Sequence, residues 1–240
     1  MFDRIKYKKF ARLQLKGRWT VPVLVMLLYE VIIILLKLPQ YKNIFIALGN
    51  PGTFAETYSA LAAADSSANA VGLSALTIVV QLLSVFVLAA AQIYVYIKMS
   101  RSPEPVYFSD FVEGLSLWRR GIFAGLLVFL KIFLWSLLFF IPGIIKTYAY
   151  SQTFFLVVEY PKLSIRKAIR VSQEITKGHK LDIFVTQISF LGWSILAVLT
   201  AGIGFLWLLP YYYMTMTNVF HAILQEAVTV GRITAEDLAG

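Results

Sequence analysis

The chain has 240 residues, 59% of them hydrophobic and 15% charged, with a mean hydropathy of +0.73 and a formal net charge of +9. Soluble domains run nearer to about 45–50% apolar and about 25% charged, so part of this chain's solvent must be lipid. The absence of cysteine excludes disulfides, thiolate metal sites and cysteine nucleophiles.

Residues 1–19 form a basic cytoplasmic juxtamembrane segment, KYKKFARLQLKGRW at its core, with a corner at Lys16-Gly17-Arg18-Trp19. An apolar run over 20–38 follows, close to the roughly 20 residues that cross the hydrocarbon as helix. It has no small-residue cleavage site near its end and reads as an uncleaved signal anchor. The outer loop, 39–70, is small and polar, with room for a short helix over 54–64 and no catalytic cluster. A second span is expected over 71–97. The elbow after it, 99–120, contains FSDFVEGLSLWRRGIF, where Asp110 and Glu113 offer a capping-box start and Arg119 and Arg120 precede Gly121. Spans over 121–141 and 144–160 are separated by a tight turn at Pro142-Gly143.

The elbow over 161–180 is helical by pattern, because Ile165, Ala168, Ile169, Ser172 and Ile175 recur at spacings of three and four. Ser164 is its expected N-cap and Gly178 its C-terminal turn residue. Arg166, Lys167, Arg170 and Lys177 occupy the other faces, and His179 and Lys180 mark the lipid boundary. Spans over 181–200 and 204–224 meet at Gly202-Ile203-Gly204, and Pro210 interrupts the backbone bonding of the last. A short tail, 227–240, ends the chain.

The expected fold is all-α: a polytopic membrane protein with six transmembrane helices in three hairpins, each preceded by a basic amphipathic segment. Residues 20–226 make one transmembrane domain. Of the 22 Lys and Arg, 18 fall on one side of these spans. Cytoplasmic loops collect such charge, which places both termini in the cytoplasm and the protein in the cell membrane. Lys16, Arg18, Trp19, Arg119, Arg120, Arg166, Lys167, Arg170, Lys177, His179 and Lys180 are the expected contacts to anionic headgroups. The elbows could equally pack on one another as a cytoplasmic collar.

Ionisable groups inside spans are costly and point to function. Glu30 and Lys131 each lie ten residues into a span, or about 15 Å at 1.5 Å per residue, and are a candidate intramembrane pair. Gln187, Tyr212, Thr215, Asn218 and His221 could line a polar cavity, or could bond between helices. Gly121-x-x-x-Gly125 permits close helix approach. With only two histidines, and no HExxH, phosphate loop or nucleophile elbow, no catalytic or metal residues and no cofactor are expected. Nucleic acid is not an expected partner, since the basic segments adjoin spans.

FIPGIIKTYAYSQTFFLVVEYPKLSIRKAIRVSQEITKGHKLDIFVTQISFLGW and the following TAGIGF and LLPYYY resemble a bacterial integral membrane family, domain of unknown function 975. ARLQLKGRW resembles that family's opening. The resemblance implies a multi-span bacterial membrane protein and brings no activity with it. The function expected is a non-enzymatic membrane-organising or interaction scaffold, self-associating and held to membrane lipids. The alternative is a transporter or channel-like protein for a lipid or small solute.

Overall fold

The computed structural model describes residues 2–49 and 68–239. Among these residues every regular element is a helix. In chain order they are α1 (Arg4–Leu15), α2 (Thr20–Gly49), α3 (Ala68–Arg101), α4 (Phe108–Leu115), α5 (Trp118–Leu138), α6 (Phe140–Tyr150), α7 (Thr153–Glu159), α8 (Ile165–Ile175), α9 (Lys180–Ile188), α10 (Leu191–Leu199), α11 (Phe205–Thr229) and α12 (Ala235–Leu238). The chain divides into two compact units, Met1–Met26 with Phe86–Gly240, and Leu27–Val85.

Three described stretches are long and apolar enough to cross a membrane: Ala75–Arg101, Trp118–Leu138 and Lys180–Leu199. The expected spans shift in detail. α2 continues to Gly49 and α3 begins at Ala68, which shortens the expected outer loop at both ends. The helix expected over 54–64 lies outside the described residues. The span expected over 144–160 is broken at Ser151-Gln152 into α6 and α7, and the one over 181–200 at Ser189-Phe190 into α9 and α10.

In the larger unit, α7 is the central strut. Phe155, Leu156, Val157 and Val158 are all buried, and Phe155 stacks on Phe220 of α11 at 5.3 Å. Ala90, Ile93 and Ile97 of α3, Ala124 of α5 and Ile183 of α9 complete that core. In lipid, burial of such side chains brings little hydrophobic gain, so close packing has to hold the helices together. Gly121 and Gly125 serve that end: a Cβ on Gly121 would lie 2.8 Å from the Phe86 carbonyl oxygen, and one on Gly125 would enter the Phe86 ring.

The reversal between α5 and α6 is not at Pro142-Gly143. It falls on Phe139, whose extended backbone (φ −159°, ψ 147°) ends α5 and starts α6. Pro142 sits in the first turn of α6, where its missing N–H has no helical partner to lose. Gly143 is needed for contact instead, since a Cβ there would lie 2.2 Å from Ser136 Oγ. The second reversal matches expectation: Gly202 has φ 88°, and Gly204 packs on Ala197. Around these two turns Leu137, Leu138, Phe139, Phe140, Ile141, Val198, Leu199 and Ile203 are exposed, an apolar surface suited to lipid.

Candidate functional site

The basic side of the larger unit is built around helix C-termini. The last carbonyls of a helix lack intrahelical donors, and cations fit there by hydrogen bonding and by the helix dipole. Five cations take such positions. Arg18 donates to Ser102 O and Glu104 O at 2.7 Å and to Met99 O at 3.0 Å, closing the end of α3, and its Nε donates to Gln14 O at 3.0 Å. Arg120 donates to Leu163 O at 2.5 Å and Tyr160 O at 3.5 Å, just beyond α7. Arg232 donates to Lys177 O at 2.7 Å beyond α8. Lys167 holds Glu236 O and Ala239 O at the end of α12, and Lys8 reaches Ser189 O at the end of α9.

This changes what several expected headgroup contacts do. Arg18, Arg120 and Lys167 are occupied by backbone, whereas Lys16, Arg119, Arg166, Arg170 and Lys177 are exposed. Of these, Arg119 lies over the Trp118 ring and Lys177 pairs with Glu174. Lys180 is half-buried. The α8 stripe does not face lipid: Ala168, Ile169, Ser172 and Ile175 are buried against protein, and Ser172 and Thr176 both donate to Ala149 O. The apolar face of the third elbow is therefore consumed by the core around α7. The second elbow keeps an outward apolar face in Tyr107, Phe108 and Val112. Asp110 caps the start of α4 from within, accepting from Tyr107 N at 2.8 Å and Lys98 Nζ at 2.7 Å. Burial pushes its carboxyl up, but these donors outweigh it and hold it below the usual range.

His179 is buried rather than at the lipid boundary. Its Nδ1 lies 3.2 Å from Asp182 Oδ2, its Nε2 2.9 Å from Glu226 Oε1, and Phe2 stacks on the ring at 5.7 Å. Neutral imidazole has one N–H, so donation to both carboxylates requires the protonated ring. The nitrogens face the two carboxylates and not a common point, and no metal-ligand set is found among the described residues. The hydrogen bond from His179, with Arg232 beside it, holds the Glu226 carboxyl below its usual range.

Of the five polar residues considered for a cavity, Gln187 and Tyr212 bond each other and the remaining three bond elsewhere. Gln187 donates to Tyr212 Oη at 2.9 Å, Thr215 to its own helix at Tyr211 O, and Asn218 to Gln14 Oε1 of α1 at 2.8 Å. His221 Nδ1 lies 3.4 Å from Ser100 Oγ, next to an Arg101–Glu159 ion pair. Pro210 is buried inside α11. Glu30 is half-buried in the unit Leu27–Val85, and Lys131 is exposed on α5 of the other unit.

A feature that the spacing did not bring out is an aromatic groove. Trp193, Leu196, Ala197 and Thr200 of the α10 end, Gly204, Trp207, Leu208 and Tyr211 of α11, and Arg12 and Trp19 enclose about 440 Å³. Arg12 Nε donates to Tyr211 Oη at 3.1 Å, with its guanidinium over that ring at 5.2 Å. One signal was present: Trp193 and Trp207 flank the Gly202-Ile203-Gly204 turn, one before it and one after.

Among the described residues, every regular element is helical and three helices are long and apolar enough to span a membrane. Residues 137–227 match the family described as protein of unknown function (DUF975). No curated protein and no solved structure matches the chain.

Proposed function

We propose that the chain is a non-enzymatic integral membrane module with six helical crossings in three hairpins and both termini in the cytoplasm. Its basic collar rests on an anionic inner leaflet, and copies of it associate into a membrane-organising scaffold. The observation that carries this reading is the segregation of two surfaces. Arg18, Arg120, Arg232, Lys167 and Lys8 fasten helix ends into a collar, leaving Lys16, Arg166 and Arg170 exposed for headgroups. The hairpin ends, by contrast, are apolar and exposed.

Transport of a lipid or solute would need a continuous polar path. Gln187 and Asn218 instead bond side chains of other helices and Thr215 a carbonyl of its own, which favours helix packing over a polar path. The scaffold reading is tested by photobleaching step counts on the fluorescently labelled full chain, reconstituted at low density in vesicles containing phosphatidylglycerol. Two or more steps per spot are expected. Single steps throughout would remove self-association from the proposal.

A further inference from the structure

The groove between α10 and α11 carries an inference about which lipid is held and where. Its walls are three indoles, two leucines and an alanine, with little polarity beyond Thr200, Tyr211 and Arg12. Trp193, Leu196 and Trp207 are half or more exposed, so the groove opens on the same surface as the apolar hairpin ends. A volume of about 440 Å³ falls in the range of sites that take small ligands. Tryptophan suits the depth where acyl chain gives way to headgroup, being apolar in body with one N–H donor.

Charge selects the occupant. Arg12 is the only charged residue lining the groove, and no carboxylate among the described residues lies within ion-pair distance of it. Unlike Arg18 and Arg120, it closes no helix end. Its one side-chain bond uses Nε, to Tyr211 Oη. That contact and the ring beneath fix the guanidinium plane, and a fixed guanidinium matches a phosphate oxygen pair. Lys8, one turn earlier on α1, sits over Phe190 at 4.0 Å and adds positive potential on the same helix.

We propose that this groove is a binding site for an anionic phospholipid. The acyl chain lies between Trp193 and Trp207, and the phosphate is held by Arg12. This rests on the membrane reading above and deepens it, from a general attraction of the collar to one site with one lipid class.

The test uses quenching of tryptophan fluorescence by lipids brominated on the acyl chain. The full chain is reconstituted in phosphatidylcholine, and brominated phosphatidylglycerol or brominated phosphatidylcholine is added at equal mole fraction. Three of the chain's five tryptophans line the groove, so its occupancy dominates the signal. We expect phosphatidylglycerol to be preferred by about fivefold, the factor that one cation near a membrane surface supplies. Arg12→Gln should reduce the preference to near unity, and Arg12→Lys should keep most of it. Lys162→Gln, an exposed cation outside the groove, should leave it unchanged. Excess inorganic phosphate should not displace the lipid, because the groove walls hold the chain.

If Arg12→Gln keeps the preference, or Lys162→Gln lowers it equally, the groove site is wrong while the collar reading stands. Displacement by inorganic phosphate would also overturn the site. A wild-type protein without any anionic preference would overturn both readings.

Discussion

The first and third elbows carry the same Lys-Gly-basic signature and use it differently. Gly17 has φ 75° and Gly178 φ 84°, each turning the chain out of a helix, α1 and α8 respectively. The residue after each glycine then diverges. Arg18 donates to four carbonyls from α1 and the end of α3, whereas His179 sits between the carboxylates of Asp182 and Glu226. A short motif sets the backbone corner, because left-handed φ is a local property of glycine. What the next side chain meets depends on distant segments, and the motif holds no information about them. The middle elbow departs even in the corner: Gly121 lies inside α5 and packs on Phe86.

The comparison can be broken first at its largest difference. Arg18→Ala removes a charged donor from four carbonyls and should cost about 3 kcal/mol, read as a lowered Tm in detergent. His179→Gln, which can still donate to one carboxylate, should cost only about 1 kcal/mol. A larger loss at His179 would reverse the ranking of the two locks. Next come the corners themselves. Gly17→Ala and Gly178→Ala should each cost about 1–2 kcal/mol, and equally, since an added Cβ meets nothing within 4 Å at either site and only backbone strain remains. Unequal costs would mean that the two corners are not equivalent.

The smallest predicted effect is in pH. Glu226 is held below the usual carboxylate range, first by its hydrogen bond from His179 and then by Arg232. A carboxyl depressed on folding stabilises above its unfolded pKa, and that stability is lost as pH falls through the folded value. Amide protection over 176–190, taken relative to the intrinsic exchange rate at each pH, should therefore fall as solution moves from neutral to acid, with less change over 14–24, where Arg18 stays charged. Glu226→Gln should flatten the difference. An equal acid response in both segments would remove Glu226 as its source.

Much of the helix order was legible because long apolar runs and the 3.6-residue period of α8 are local signals. Gly121, Gly178 and Gly202 could also be placed by type and spacing. The breaks at Ser151-Gln152 and Ser189-Phe190 were hidden, because apolar residues continue on both sides and hydropathy does not register a change of axis. The cations were legible by side but not by task. Arg18 and Arg119 have the same composition and similar neighbours, yet one closes a helix and the other lies on Trp118. The groove escaped because Arg12 and Trp207 are 195 residues apart and meet only through the packing of α1 on α11.

The collar and the tip between α5 and α6 are expected on opposite faces of a membrane, since α5 alone has 21 residues, enough to cross the hydrocarbon. The chain has no cysteine, so single cysteines report position without background. Lys177→Cys marks the collar and Phe140→Cys the exposed tip between α5 and α6. Intact cells expressing each variant are treated with a membrane-impermeant maleimide, before and after permeabilisation. Phe140→Cys should label in intact cells and Lys177→Cys only once the membrane is opened; labelling of both from the same side would contradict this topology.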